Sequence, residues 1–161
     1  MDQQVKPIKS TAAKRSTKRE YTFAVARQKE AAARVRLYAH VKEGHKWGEH
    51  EVKKEQILVN EMPIENYFPG PLAKAQYMQP LIITNSFNRF AVTIRVSGGG
   101  QNGQLDAATK GIAKALATID TIKFRAILKK KGLLTHDARV RERRKVGKGG
   151  KARRKKQSPK R

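Results

Sequence analysis

Few residues in this sequence have the type and spacing to do chemistry. Gly98-Gly99-Gly100-Gln101-Asn102-Gly103 reads as G-x-G-x-x-G, between an expected strand and an expected helix. Bare backbone amides at the start of a helix bind phosphate. A dinucleotide site also needs a parallel strand after the helix, ending in an acidic residue. Here one helical pattern follows another, with Asp120 between them, so no nicotinamide or flavin site is expected. The Gly-Lys-Ser/Thr of a nucleotide-hydrolase phosphate loop is absent. Two readings of the glycines stay open: a tight turn from strand to helix, or amides that contact an RNA phosphate.

His40, His45 and His50 invite a metal, with Glu43 and Glu49 nearby. A spacing of five aligns ligands neither on a helix nor on one strand face, so a polar loop is expected instead. Trp47 in that loop either packs locally or stacks on a base. His136 has no nearby nucleophile in a triad-like setting. Cysteine is absent, which removes disulfides, zinc knuckles, thiolate nucleophiles and iron–sulfur ligation. No catalytic residue, metal or cofactor is expected.

Charge is the strongest signal. The 161 residues hold 37 Lys+Arg against 13 Asp+Glu, a net charge of +24. Such an excess repels itself and calls for a polyanion, either nucleic acid or an anionic membrane. It is unevenly placed: residues 1–19 carry +5, residues 20–136 carry +8 and residues 137–161 carry +11. Most of the large apolar side chains lie in the middle segment. The expected organisation is a basic arm over 1–20, one globular core over 21–136 and an extended basic tail over 137–161. The tail has almost nothing apolar to bury. Extended, the stretch from Gly147 onward reaches roughly 50 Å at about 3.3 Å per residue, enough to thread into a large RNA. No apolar run approaches a membrane span. The N-terminus lacks the apolar core of a secretory signal, and Asp2 and the absence of amphipathic spacing argue against a transit peptide.

The core must position whatever binds. Tyr21, Phe23 and Val25 alternate with smaller residues, as a half-buried strand would. Val35, Leu37, Ala39 and Val41 share one face of a second strand; Arg34, Arg36, Tyr38 and His40 form a basic, aromatic outer face. Residues 42–56 read as a loop, 57–59 as a short strand ending at Asn60, and 63–68 as a helical turn stopped by Pro69-Gly70-Pro71. A short helix over 72–78 and strands over 81–84 and 90–96 follow; Arg95 points away from the face of Phe90, Val92, Ile94 and Val96. Leu105, Ala108, Ile112, Leu116 and Ile119 form one apolar stripe of a helix over 104–119, with Asp106, Lys110 and Lys114 on its other side. A last helix, capped by Asp120 or Thr121, buries Phe124, Ile127 and Leu128 and stops at Gly132. Strands followed by helices make this an α+β fold, a two-layer α/β sandwich.

These residues resemble the family of small-subunit ribosomal protein nine, in its bacterial-type form, over roughly 21–161. The most specific match is Gly98-Gly99-Gly100-x-x-Gly103-Gln104-x-x-Ala107-x-x-x-Gly111-Ile112-x-Lys114-Ala115-Leu116. Gly132-Leu133-Leu134-Thr135-His136-Asp137-Ala138-Arg139, Glu142-Arg143-Arg144-Lys145, Lys151-Ala152-Arg153-Arg154 and the stretch from Asn60 to Phe68 are similar to further family segments. There are departures. Ala24-Val25-Ala26-Arg27-Gln28-Lys29 stands where the family has Gly-Thr-Gly-Arg-Arg-Lys. His136 replaces the usual Arg, the 42–56 loop is longer than typical, and the usual Ser-Lys-Arg ending appears as Pro159-Lys160-Arg161, with Ser158 displaced by one.

The resemblance implies a fold of the ribosomal protein S-five second-domain type. It also implies a structural, non-enzymatic place in the cytoplasmic ribosome. The core would bind the head of the small subunit, on the 3′ major domain of its ribosomal RNA, beside neighbouring head proteins. The tail would bring Lys160 and Arg161 to the anticodon stem-loop of P-site transfer RNA. The residues expected to hold ribosomal RNA are Arg27, Lys29, Arg34, Arg36, Gly98, Gly99, Gly100, Lys110, Lys114 and Arg139 in the core and at the tail's root. In the tail they are Arg143, Arg144, Lys145, Lys148, Lys151, Arg153, Arg154, Lys155 and Lys156. No membrane and no small-molecule substrate is expected. The rival classes are a phosphotransferase using the glycine loop, with Asp106 as its only nearby magnesium carboxylate, and a cationic protein that binds DNA or membrane.

Overall fold

The computed structural model describes residues 21–40 and 46–140, so the 1–20 arm and most of the basic tail lie outside the described residues. The chain opens with a hairpin of β1 (Tyr21–Gln28) and β2 (Ala31–Tyr38), joined by the two-residue turn Lys29-Glu30 with Lys29 at φ +54°. A small hairpin, β3 (Lys46–Trp47) and β4 (His50–Glu51), gives the expected 42–56 loop some regular structure. β5 (Ile57–Val59), β6 (Met62–Pro63), α1 (Ile64–Tyr67) and α2 (Pro71–Ile83) follow. Then come β7 (Ala91–Ser97), α3 (Gln101–Ile119) and α4 (Thr121–Lys130). Five strands form one mixed sheet in the order β1-β2-β7-β5-β6, with only β5 and β7 parallel. Sheet and helices make an α+β fold.

The core lies between the sheet and α3. Across the inner face Ala24 pairs with Val35, Val35 with Ile94 and Ile94 with Val59. These meet Leu105, Ala108, Ile112 and Leu116, the stripe expected on α3. Each Val, Leu or Ile side chain so withdrawn from water contributes about 1.5–3 kcal/mol. Helix and sheet approach closely at Gly111, where a Cβ would stand 2.5 Å from Val35 Cγ2. Asp120 caps α4 by accepting from the Lys123 amide at 3.1 Å, as its spacing predicts.

Several expectations need correction. The strand at Tyr21–Val25 is half-buried as expected, but its large side chains take the outer side: Phe23 is 52% and Val25 44% exposed, while Ala24 and Ala26 are buried. The small side chains face inward because α3 lies too close for large ones there. Residues 81–84 are no strand; α2 runs on to Ile83 through Pro80. A proline is an ordinary stop signal, but Tyr77 and Leu81, one turn apart, are both buried and carry the helix past it. α3 starts at Gln101, one turn before the expected Gln104, so Gly103 lies inside the helix. β2 ends at Tyr38, which is buried with Val52, Leu58 and Ala91, whereas Ala39 is exposed. At the ends of the helices Ile119 and Ile127 are exposed; of α4's expected core residues only Leu128 is fully buried, with Phe124 partly so.

Candidate nucleic-acid interface

Among the described residues the helices cover one face of the sheet and leave most of the other open. The short β1–β2 turn fixes the register, and cross-strand partners in an antiparallel pair share a face. Phe23 therefore lies opposite Arg36, and Val25 opposite Arg34, which lies opposite Arg95 on β7. The result is an outer face with Arg27, Arg34, Arg36 and Arg95 around Phe23 and Val25. It forms an open groove of about 1030 Å³, also lined by Tyr21, Trp47 and Thr93. The Arg36 guanidinium sits 5.0 Å from the centre of the Tyr21 ring. Arg95 approaches Glu61 at 3.8 Å. Arg27 and Arg34 have no acidic partner among the described residues. Guanidinium groups are weakly hydrated, fork onto phosphate oxygens and stack on planar rings, so this face suits anions that carry flat apolar groups.

A second basic region lies at the end of the sheet that holds the Lys29-Glu30 turn. The glycine loop packs there: Gly98 has φ +73°, and a Cβ on it would stand 2.7 Å from the Glu30 carbonyl oxygen. One chain of hydrogen bonds ties the loop down. The Asn60 side chain accepts from the Val96 amide at 2.9 Å and donates to the Val96 carbonyl at 3.1 Å and to the Tyr67 hydroxyl at 3.3 Å. Tyr67 donates to Gln104 Oε1 at 2.8 Å, and Gln104 Nε2 donates to the Gly98 carbonyl at 3.1 Å. The glycines thus serve the tight-turn role. Asp106 on α3 accepts from the Gln76 amide, which ties α3 to α2 rather than offering a free carboxylate to magnesium.

The root of the tail is pinned at the same end. The Lys29 amide donates to the Asp137 carbonyl at 3.0 Å. Gln28, buried, accepts from Lys110 Nζ at 2.5 Å and donates to Asp137 Oδ2 at 3.1 Å. Arg139 grips the same carboxylate through Nε at 2.9 Å and Nη2 at 2.8 Å. Those hydrogen bonds, and the backbone amide of Arg139, hold the Asp137 carboxyl far below the usual carboxylate range. Lys114 reaches the Val25 carbonyl at 3.3 Å on the outer edge of β1, and a lysine there blunts strand addition.

Comparison with known proteins decides what these surfaces belong to. Residues 26–161 match the family described as Ribosomal protein S9/S16. The chain belongs to that family. Among its relatives is the small ribosomal subunit protein uS9 of Solidesulfovibrio magneticus, 41% identical over 131 residues, 81% of this chain and 90% of that one. The uS9 of Maridesulfovibrio salexigens is 41% identical over 132 residues, 82% of this chain and 91% of that one. That of Lawsonia intracellularis is 39% identical over 128 residues, 80% and 88%. As a ribosomal S9/S16 protein the chain is a structural component and not an enzyme.

Within this S9/S16 chain the structure gathers the expected RNA-binding residues into groups. Arg27, Arg34 and Arg36 share the open face. Lys29, Gly98, Gly99 and Gly100 meet at the turn end of the sheet, near Arg139. Lys110 and Lys114 project from α3 onto the edge of β1. Arg143, Arg144, Lys145, Lys148, Lys151, Arg153, Arg154, Lys155, Lys156, Lys160 and Arg161 lie outside the described residues. So does His45, and His40 and His50 are exposed; among the described residues no three His, Cys, Asp or Glu side chains cluster as metal ligands. Sequence reasoning missed Phe23 and Arg95. The hairpin register would have found Phe23, because a strand paired antiparallel with Arg34 and Arg36 puts Val25 and Phe23 on their side.

Proposed function

We propose that the chain is a structural constituent of the small ribosomal subunit that binds ribosomal RNA of the subunit head, in the 3′ major domain, and extends its C-terminal tail toward P-site transfer RNA. The observation that carries this reading is the family match running through the whole basic tail to Arg161. The tail's +11 supplies the charge. Each phosphate neutralised releases counterions, so about 6–10 contacts make affinity fall roughly 10³–10⁵-fold between 50 and 200 mM salt. In this reading residues 1–20 are a basic arm, 21–136 the RNA-binding core of ribosomal protein S-five second-domain type, and 137–161 the tail. Lys160 and Arg161 form its tip at the transfer RNA. The chain works in the cytoplasmic ribosome beside neighbouring head proteins, without cofactor, membrane or small-molecule substrate. Its task is positioning: cations hold phosphates in place and no bond is made or broken.

Deleting residues 159–161 tests the tip. Subunits should assemble normally and bind P-site transfer RNA more weakly. Unchanged transfer RNA binding would remove that part and leave ribosomal RNA binding standing. Salt-titrated binding to folded ribosomal RNA, duplex DNA and anionic vesicles tests the rest, and a preference for either of the last two would overturn it.

A further inference from the structure

We infer that the outer face of α4 is an RNA-docking surface, with Lys123, Arg125, Lys129 and Lys130 on the sugar-phosphate backbone of a paired RNA stem. This rests on the RNA-binding reading above. It adds a surface of the core and the form of RNA which that surface takes.

Little holds this helix within the fold. Eight of its ten side chains are exposed; only Leu128 is fully buried, with Phe124 partly so. A helix of this length is marginal by itself in water, and its charges do not help it. From Asp120 to Lys131 the chain has five Lys and Arg against one acid, and that acid is the cap. Lys123 lies 3.9 Å from it. Arg125, Lys129, Lys130 and Lys131 enter no ion pair among the described residues. Lys129 and Lys130 stand in the last turn, where the helix dipole favours cations. Lys123 stands in the first turn, where the dipole opposes it, and that turn has no acidic residue. Arg125 and Lys129, four apart, repel each other. Helix stability therefore does not account for the charge. Nor does solubility, which would spread it: α2 carries one cation, Lys74, and Glu65 pairs with it at 2.7 Å.

The arrangement selects the ligand. At about 100° per residue, Ile122, Ala126 and Lys130 form a row opposite Phe124 and Leu128, with Arg125 and Lys129 on one side of it and Lys123 on the other. Ile122 is 92% exposed. The other exposed isoleucine of α4, Ile127, stands about 140° round the helix from it, so the two make no single apolar stripe to enter a lipid surface. Phe124, the one aromatic residue of α4, turns inward, which leaves nothing for an unpaired base to stack on. What remains is a set of cations around small and aliphatic side chains. The backbone of an A-form stem matches it: phosphates for the cations, and the riboses of the shallow minor groove for Ile122 and Ala126.

The chain has no cysteine, so Thr121→Cys, exposed at the start of α4, carries an iron chelate at one site of the full-length protein. Bound to transcribed 3′ major domain of small-subunit ribosomal RNA, the tethered chelate should cut the backbone of a paired stem. Cuts confined to unpaired loops, or no cuts, would overturn the surface. The charge has its own test. Arg125→Gln, Lys129→Gln and Lys130→Gln together should lower the slope of log affinity against log salt by about 3, roughly 1 for each phosphate contact, with circular dichroism unchanged. Lys46→Gln, Lys53→Gln and Lys54→Gln remove the same charge from the β3–β4 hairpin and the loop after it, and should leave the slope as it is. Equal losses in the two triple variants would reduce the effect to bulk charge and sink the proposal. Protection of the Thr121→Cys thiol by phosphatidylserine vesicles or by a neighbouring head protein, and not by the RNA, would sink it too. In each of these cases RNA binding through other surfaces survives. No binding of RNA by the full chain would overturn both this proposal and the reading beneath it.

Discussion

Gln28 and Asp137 are joined by a 3.1 Å hydrogen bond across 109 residues of chain, from the end of the first strand to the root of the tail. Gln28 is only 8% exposed, and its other side-chain atom is taken up by Lys110. Where the family usually has arginine, this chain thus has a neutral amide that accepts from a lysine and donates to a carboxylate. An arginine there would place a second cation beside Lys110.

Gln28→Leu keeps the volume but removes both hydrogen bonds. It should cost about 1–2 kcal/mol and lower the melting temperature. The amide of Lys29, bonded to the Asp137 carbonyl, should exchange with solvent faster. Unaltered exchange at Lys29 would mean that Gln28 does not hold the tail's root.

The Asp137 carboxyl should titrate well below its ordinary value of 3.8, because Arg139 hydrogen-bonds its charged form. A folded-state pKa below the unfolded one gives stability that is present above about pH 4 and lost as pH falls toward the folded value. Acid should therefore loosen the tail's root without needing to unfold the core. Carboxyl NMR titration checks this, and Arg139→Gln should return the midpoint toward 3.8. A midpoint already at 3.8 in the unsubstituted chain would contradict the pairing with Arg139.

Gly111→Ala sets two effects against each other. Alanine is the better helix former by about 1 kcal/mol, yet its methyl would lie 2.5 Å from Val35 Cγ2. Overpacking of this kind costs about 1–3 kcal/mol, so net destabilisation is expected in thermal melts. A more stable Gly111→Ala chain would show that α3 can shift away from the sheet.

Tyr67→Phe removes the hydroxyl that links Asn60 to Gln104. A loss of about 1–2 kcal/mol is expected, with Gln104 freed from the loop that ends at Gly98. A double-mutant cycle with Gln104→Ala should show coupling beyond additivity, since the two share one network. Strict additivity would mean that the network does not tie α1 to the glycine loop.

What the sequence determined by itself is what period and charge determine. The stripe Leu105, Ala108, Ile112, Leu116 repeats within one helix, and Arg34, Val35, Arg36, Leu37 alternate within one strand, so each needs no knowledge of its neighbours. The Asp120 cap is equally local. So is the excess of Lys and Arg, which named a polyanion before any fold was known. The tertiary structure decided which face of β1 is inside. Tyr21, Phe23 and Val25 alternate with Ala24 and Ala26, and a period of two cannot tell the faces apart. The choice came from Gly111, which draws α3 down onto Val35 and Ala26 and leaves room only for small side chains. It also came from the hairpin register, which puts Phe23 beside Arg36. The same holds for residues 81–84, where packing of Tyr77 and Leu81 overrode the proline between them. The links Gln28–Lys110 and Tyr67–Gln104 span 82 and 37 residues. No local pattern encodes such pairs, because the partners become neighbours only when the sheet and helices have packed.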